Sequence, residues 1–394
     1  MRVRDATSAA KLRVLAALPT PPPYSGPEMA AALLLASGLG PDVELIHVRT
    51  NAQTSNSTKG HVTGRSVART VVAWIEAVAS IARRRPHILY FYLSQNRTGF
   101  LRDLLFIATA RCAGLAVVVQ LHGANFSNFV LDASPPFRKL IRWSFRWIDD
   151  VVVLAERLKL QFAGLVPRDR LWVVPNAVSS DRPWAARCDS EGCTFLFMGH
   201  LSIAKGFVDL LRAVPAVLDA APDARFEFAG EWLPEERNIH RDERRREVGS
   251  EQLAEAEFER LRSCYGNRVQ RLGLVSGTMK AESLQRAHVF VLPSYSEGLP
   301  IAVLEAMEAG LPLVVTPVGA LPEVLTPDEH ALFVDPGDIR ALANALLRMA
   351  RDGDLRSRLG AANAQLVRER FTPVRVSTAL RQCLETSAAR RTRR

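Results

Sequence analysis

A chain of 394 residues exceeds what one hydrophobic core normally supports, so two domains are expected. With 48% hydrophobic and 23% charged residues it is neither disordered nor fibrous, and five widely spaced cysteines without a CxxC pair argue against a disulfide framework or a structural zinc site. The net charge of +10, carried by 51 basic residues of which only Lys11, Lys59, Lys139, Lys159, Lys205 and Lys280 are lysine, suits nucleic acid, anionic lipid or phosphorylated substrates and selects none of them.

The first apolar run, Leu12 to Ala17, reads as a strand and not as a signal peptide. Pro21-Pro-Pro-Tyr-Ser-Gly26 is a turn after it, and the Ala- and Leu-rich stretch 27–37 a helix. Further strands are expected at 43–48, 87–92, 116–121, 150–154 and 171–174, alternating with helical patterns. Neither 29–39 nor 104–121, which Arg111 interrupts, is a credible membrane span, so the protein is expected in the cytoplasm, at most peripheral on the inner face of the membrane. The segment Phe137 to Trp147 interleaves Phe137, Leu140, Ile141 and Phe145 with Arg138, Lys139, Arg142 and Arg146, a candidate contact with an anionic membrane surface.

The polar stretch 179–192 is read as a linker, after which the alternation restarts with strands at 194–198, 225–229, 269–272, 288–292, 313–316 and 331–334. The expected division is 1–178, 179–192, 193–372, and a C-terminal helix with a basic tail over 373–394. Two βα arrays of similar length predict an α/β chain of two Rossmann-like domains facing one another. The charged stretch 231–262, with the run Arg241 to Arg246, is read as an exposed helical excursion.

Four motifs carry candidate chemistry. In Ser294-Tyr-Ser-Glu-Gly-Leu-Pro-Ile-Ala-Val-Leu-Glu305 a strand gives way to a Gly/Pro turn and a helix opening near Pro300, which Gly310 ends. The backbone from Gly298 through Leu299 and Pro300 to Ile301 forms the mouth of that helix, whose free N–H groups make an anion site. Glu297 and Glu305 flank it, and a fully helical span would set them about 12 Å apart, too far for a hydrolase pair at about 5 to 9.5 Å. In Phe195-Leu-Phe-Met-Gly-His-Leu-Ser-Ile-Ala-Lys-Gly206 a strand leads to Lys205, a point charge for a leaving diphosphate. Val117-Val-Val-Gln-Leu-His-Gly123 puts His122 at the carboxyl edge of a strand, where α/β proteins bind ligands. Gly26 closes the proline-rich turn. The one D-x-D, Asp352-Gly-Asp354, looks like a turn between helices, and no metal cluster is evident.

These motifs resemble glycosyltransferase family 4, retaining enzymes of GT-B fold with an E-x7-E motif; the resemblance covers nearly the whole chain and is strongest from Phe195 to Asp335. It implies two Rossmann-like domains across a cleft, with the C-terminal helix crossing back. Glu297 would then face the donor sugar, Glu305 the ribose, Lys205 the diphosphate, and His122 the transferred sugar or the acceptor. Ser25-Gly26 resembles the loop that approaches diphosphate and acceptor, and Val173-Val-Pro-Asn-Ala-Val178 the end of the N-terminal domain. His200 stands where the family carries arginine. The implied activity is metal-independent, retaining hexosyl transfer from a nucleoside-diphosphate-sugar to a glycan or lipid-linked glycan, with no cofactor and no nucleic acid partner. Two alternatives are an epimerase or hydrolase of nucleotide-sugars on the same fold and a basic nucleic-acid-binding protein, which would leave both glutamates unexplained.

Overall fold

A computed structural model describes residues 11–51, 53, 63–179, 184, 192–233 and 251–393. The Arg241 to Arg246 run and most of the 179–192 stretch lie outside them. All twelve expected strands are present. In the first half they are β1 (Leu12–Leu18), β2 (Val43–Arg49), β3 (Ile88–Tyr92), β4 (Ala116–Gln120), β5 (Asp150–Val153) and β6 (Leu171–Val173). In the second they are β7 (Thr194–Met198), β8 (Arg225–Ala229), β9 (Val269–Gly273), β10 (Val289–Leu292), β11 (Leu313–Val315) and β12 (Ala331–Phe333).

They form two six-stranded parallel sheets, ordered β2-β1-β3-β4-β5-β6 and β12-β11-β10-β7-β8-β9. The central strands β3, β4, β5, β7 and β10 are buried along their whole length, because helices cover both faces of a parallel sheet.

The helices of the first sheet are α1 (Gly26–Ser37), α2 (Gly64–Arg84), α3 (Arg97–Cys112), α4 (Phe126–Leu131) and α5 (Pro135–Ser144). The second carries α6 (Phe207–Ala220), α7 (Glu251–Tyr265), α8 (Gly277–Arg286), α9 (Ile301–Glu308), α10 (Leu321–Val324), α11 (Ile339–Arg351) and α12 (Gly353–Arg370). The last helix, α13 (Pro373–Thr392), crosses back to pack on α1, β3 and β4. It buries Leu380, Cys383 and Leu384 with Val14, Ala16, Leu18, Ile88 and Tyr90.

Two details differ from the sequence reading, and the Asp352 turn between helices agrees with it. The basic C-terminal residues are not a tail: the helix continues to Thr392, and Arg390 pairs at 2.9 Å with Asp150, a wholly buried carboxylate that also accepts from Ser387 Oγ. Burial of that carboxylate without a cation would be costly, so the pair holds the last turn in helix. Asp352 is an N-cap, accepting from the Leu355 amide at 2.8 Å, which accounts for the D-x-D as a helix start. The apolar side of 137–147 faces inward: Phe137, Ile141 and Phe145 are buried, and Phe145 packs against Phe126 and Phe162. Arg138 is spent on the carbonyls of Val130, Leu131 and Ala133. Only Lys139, Arg142, Trp143 and Arg146 of this segment are exposed, so it lacks the apolar face that lipid insertion requires.

Among the described residues no helix is long and apolar enough to cross a membrane.

Candidate active site

Strands of a parallel sheet all end on one side, so the residues after β1, β3 and β4 meet those after β7, β8 and β10 across a cleft of about 1510 Å³. Every candidate from the sequence lines it: Gly26, His122, His200, Lys205, Glu297, Gly298, Leu299, Pro300, Ile301 and Glu305.

The second sheet supplies the charged groups. Gly206 adopts φ +68° between a 3-10 turn, Ile203–Lys205, and α6. A Cβ there would lie 2.0 Å from the Pro293 carbonyl oxygen, so only glycine allows this close turn. The turn places Lys205 Nζ 2.6 Å from Glu297 Oε1, and Ser294 Oγ donates to the same carboxylate oxygen at 2.7 Å. Glu297 is buried, and these two donors satisfy its carboxylate oxygen. Pro300 is the N-cap of α9 in extended conformation, and not its first helical residue, because the Gly-Leu segment must reach the other sheet before the helix begins. Its carbonyl accepts from Val303 and Leu304, which leaves the Ile301 and Ala302 amides at the helix mouth. Glu297 thus precedes the helix, and the 12 Å helical rise does not apply to its separation from Glu305. On α9, Glu305 accepts a hydrogen bond from Lys280 Nζ of α8.

The first sheet brings His122 to a wall that also carries Glu28, Arg97, Arg102 and Asp132. His122, just past the carboxyl end of β4, is partly buried, and desolvation pushes its pKa down to about 3 against the opposing hydrogen bond with Asn176. The ring is therefore neutral across the ordinary pH range. Its centroid is 4.1 Å from that of Tyr92, and its Nε2 has no hydrogen-bond partner. A buried, unpaired nitrogen on a cleft wall costs free energy that a ligand hydroxyl would recover. Gly26 begins α1, where an added Cβ would meet nothing within 4 Å. The resemblance-based role for Gly26 therefore rests on access, not on backbone strain.

The two walls touch. A Cβ on Gly298 would lie 2.0 Å from the His122 carbonyl oxygen, so glycine is what allows α9's mouth to abut β4. Asn176 Nδ2 donates to the Leu299 carbonyl at 2.7 Å, and the Glu323 carboxylate accepts from the Glu156 and Arg157 amides, each at 2.9 Å.

Lys280 and Asn176 escaped the sequence reading as site residues. Lys280 sits in an ordinary helical stretch with no local signature. Asn176 was visible in the Val-Pro-Asn run but marked only a boundary there. Among the described residues no group of three or more His, Cys, Asp or Glu is arranged to hold a metal ion.

Residues 183–366 match the family model for glycosyl transferases group 1. The phosphatidyl-myo-inositol mannosyltransferase of Mycobacterium leprae is 30% identical over 270 residues, which cover 66% of this chain and 64% of that protein. The GDP-mannose:cellobiosyl-diphosphopolyprenol alpha-mannosyltransferase of Xanthomonas campestris is 26% identical over 259 residues, 65% of this chain and 64% of that one. The chain thus spans just under two thirds of the length of these relatives. The structure of Anabaena Alr3699/HepE in complex with UDP and glucose superposes with a TM-score of 0.70 at 15% identity, covering 95% of this chain and all of that one. Sucrose-phosphate synthase from Thermosynechococcus elongatus gives 0.69 at 16% identity, covering 96% of this chain and 100% of that one. At such identities the likeness establishes the fold, two Rossmann-like domains facing across a cleft.

Proposed function

From the match of residues 183–366 to the group 1 glycosyltransferases we propose that the chain is a member of that family and moves a hexosyl group, with retention of anomeric configuration, from a nucleoside-diphosphate-sugar to a glycolipid or polysaccharide acceptor. The observation that carries the proposal is the ion pair between Lys205 and Glu297 at the cleft mouth of α9, matched by that between Lys280 and Glu305. A donor exchanges both partnerships at once. Its diphosphate takes the lysine charge and the Ile301 and Ala302 amides, while its sugar and ribose hydroxyls donate to the two carboxylates. A ligand with only one of these features would leave a buried charge unpaired.

In the transfer step the bond between the anomeric carbon and the diphosphate breaks, and the acceptor oxygen bonds to the same face of that carbon. The acceptor proton passes to the leaving phosphate oxygen, so the products are the glycoside and the nucleoside diphosphate. Negative charge grows on the diphosphate as the bond breaks. Lys205 and the helix mouth stabilise it where it develops, with His200 on the same wall. His122, held neutral, offers Nε2 to a sugar or acceptor hydroxyl. The two lysines supply the positive charge that a divalent cation would otherwise bring, so we assign no metal or other cofactor to the reaction.

The test is a thermal-shift screen of nucleoside diphosphates and nucleoside-diphosphate-sugars, followed by transfer assays in EDTA with glycan and lipid-linked acceptors. Ligand at 100 times its Kd should stabilise the fold by about 2.7 kcal/mol. No shift from any nucleotide would overturn the donor assignment, activity that EDTA abolishes and magnesium restores would overturn metal independence, and donor turnover without an acceptor would make it an epimerase or hydrolase.

A further inference from the structure

Two glutamines hold the loop that follows β4, and the structure uses them differently. Gln161 is buried and has both ends of its amide committed: Oε1 accepts from the Phe126 amide at 2.8 Å, and Nε2 donates to the Gly123 carbonyl at 3.2 Å. Gln95, just past the carboxyl end of β3, commits only one end. Its Oε1 accepts from the Asn125 amide at 3.0 Å. A backbone N–H can only donate, so this bond settles which end of the side chain is oxygen. Nε2 is the other end, and among the described residues it has no acceptor, although Gln95 lines the cleft.

A glycine makes room for that nitrogen. A Cβ on Gly123 would lie 1.8 Å from Gln95 Nε2 and 2.7 Å from its Cδ, so the amide rests directly on the Gly123 backbone. The preceding residue is His122, whose ring stands against Tyr92 and whose Nε2 also lacks a partner. The bond between the ring and Asn176 favours the protonated ring, so the ring is the donor in it. A neutral imidazole has one N–H and one lone pair, which leaves Nε2 as the acceptor. An amide donor and an imidazole acceptor thus flank Gly123, on the wall that meets Glu297 and Gly298. One free donor beside one free acceptor is the complement of a hydroxyl, which accepts through its oxygen and gives up its proton.

We propose that Gln95 is a specificity-determining residue that reads a hydroxyl of the transferred sugar: its Nε2 donates to the hydroxyl oxygen while the hydroxyl proton goes to His122 Nε2. The assignment rests on the transfer reading above, which puts a sugar between this wall and Glu297, and it adds the residue that discriminates among sugars. A sugar with hydrogen, fluorine or a methyl ether at that position cannot make both bonds and leaves two polar groups of the site unpaired.

The experiment is calorimetric titration of the full chain with UDP-glucose, UDP-galactose, UDP-N-acetylglucosamine, GDP-glucose and GDP-mannose, each against bare UDP or GDP. The ratio of the two affinities is the contribution of the sugar. Gln95→Glu keeps an oxygen for the Asn125 amide and loses the N–H, so the loop stays held while the donor is gone. It should bind the best nucleotide-sugar about tenfold more weakly than wild type, with the bare nucleoside diphosphate little changed. Gln95→Met carries no charge and should show the same loss, which rules out repulsion of the diphosphate as the cause. Monodeoxy analogues of the best donor then locate the hydroxyl. One of them should cost the wild type about tenfold or more and Gln95→Glu less, because one of the two partners is already missing there. A Gln95→Glu protein with the wild-type ratio, or losses that simply add for every analogue, overturns the assignment and leaves the transfer reading standing. A wild-type protein that binds no nucleoside diphosphate overturns both.

Discussion

Lys205 shows how one side chain can hold two states. Its ammonium satisfies a buried carboxylate at 2.6 Å, and under the proposed function the same charge would turn to the donor diphosphate. Lys205→Ala should lower kcat by about 10² to 10³, the loss seen when one preorganised donor to a developing anion is removed. Substrate affinity should change less, because the interaction grows in the transition state. Steady-state kinetics check this, with circular dichroism to show that the fold persists; an unchanged kcat would move the role to Lys280. At this scale the sequence was informative wherever a residue sat in a strand-turn-helix context, as Lys205, His122 and Glu297 do. Lys280 was illegible because its meaning comes from α9, whose Glu305 lies 25 residues away.

Elements were the most legible level. Parallel strands buried on both faces must be written as unbroken apolar runs, so Ala116 to Val119 or Val289 to Leu292 announce themselves. Helices were harder, since an amphipathic stripe does not say which medium it meets. The stripe of α5 faces the core and that of α2 faces outward, yet both alternate apolar and basic residues. The joint between β4 and α9 is an element-scale feature with its own consequence. Gly298→Ala would drive a methyl group into the His122 carbonyl oxygen, and neither backbone can yield without moving its sheet. Transfer should fall at least tenfold while each sheet keeps its own core, so that far-ultraviolet circular dichroism is unaltered. Full activity in this variant would show that α9's mouth need not abut β4 during turnover.

On the scale of the whole molecule, one hydrophobic cluster runs through both sheets, and the polar contacts that join them among the described residues link positions so distant in sequence that no local pattern could reveal them. Glu323 and Glu156 are 167 positions apart. The Glu323 carboxylate accepts two backbone amides at the start of the 3-10 turn Glu156–Phe162, both charge-assisted and both crossing between the sheets. The group is exposed, so its loss should cost the fold little, about 1 kcal/mol or less. The same loss bears on a much smaller balance, that between apposed and separated sheets. When the apposed arrangement is less populated, apparent donor affinity drops by that fraction. Glu323→Ala should therefore raise the donor KM by up to about fivefold, leave kcat within about twofold, and barely move the melting temperature. X-ray scattering of the free variant should give a larger radius of gyration than wild type, and a saturating nucleoside-diphosphate-sugar should bring the two together, because under the proposed function the donor bridges both walls through Lys205 and His122. A variant with wild-type KM and scattering would show that Asn176 and the Gly298 joint suffice to hold the sheets together, and would confine Glu323 to ordering the turn at 156–162.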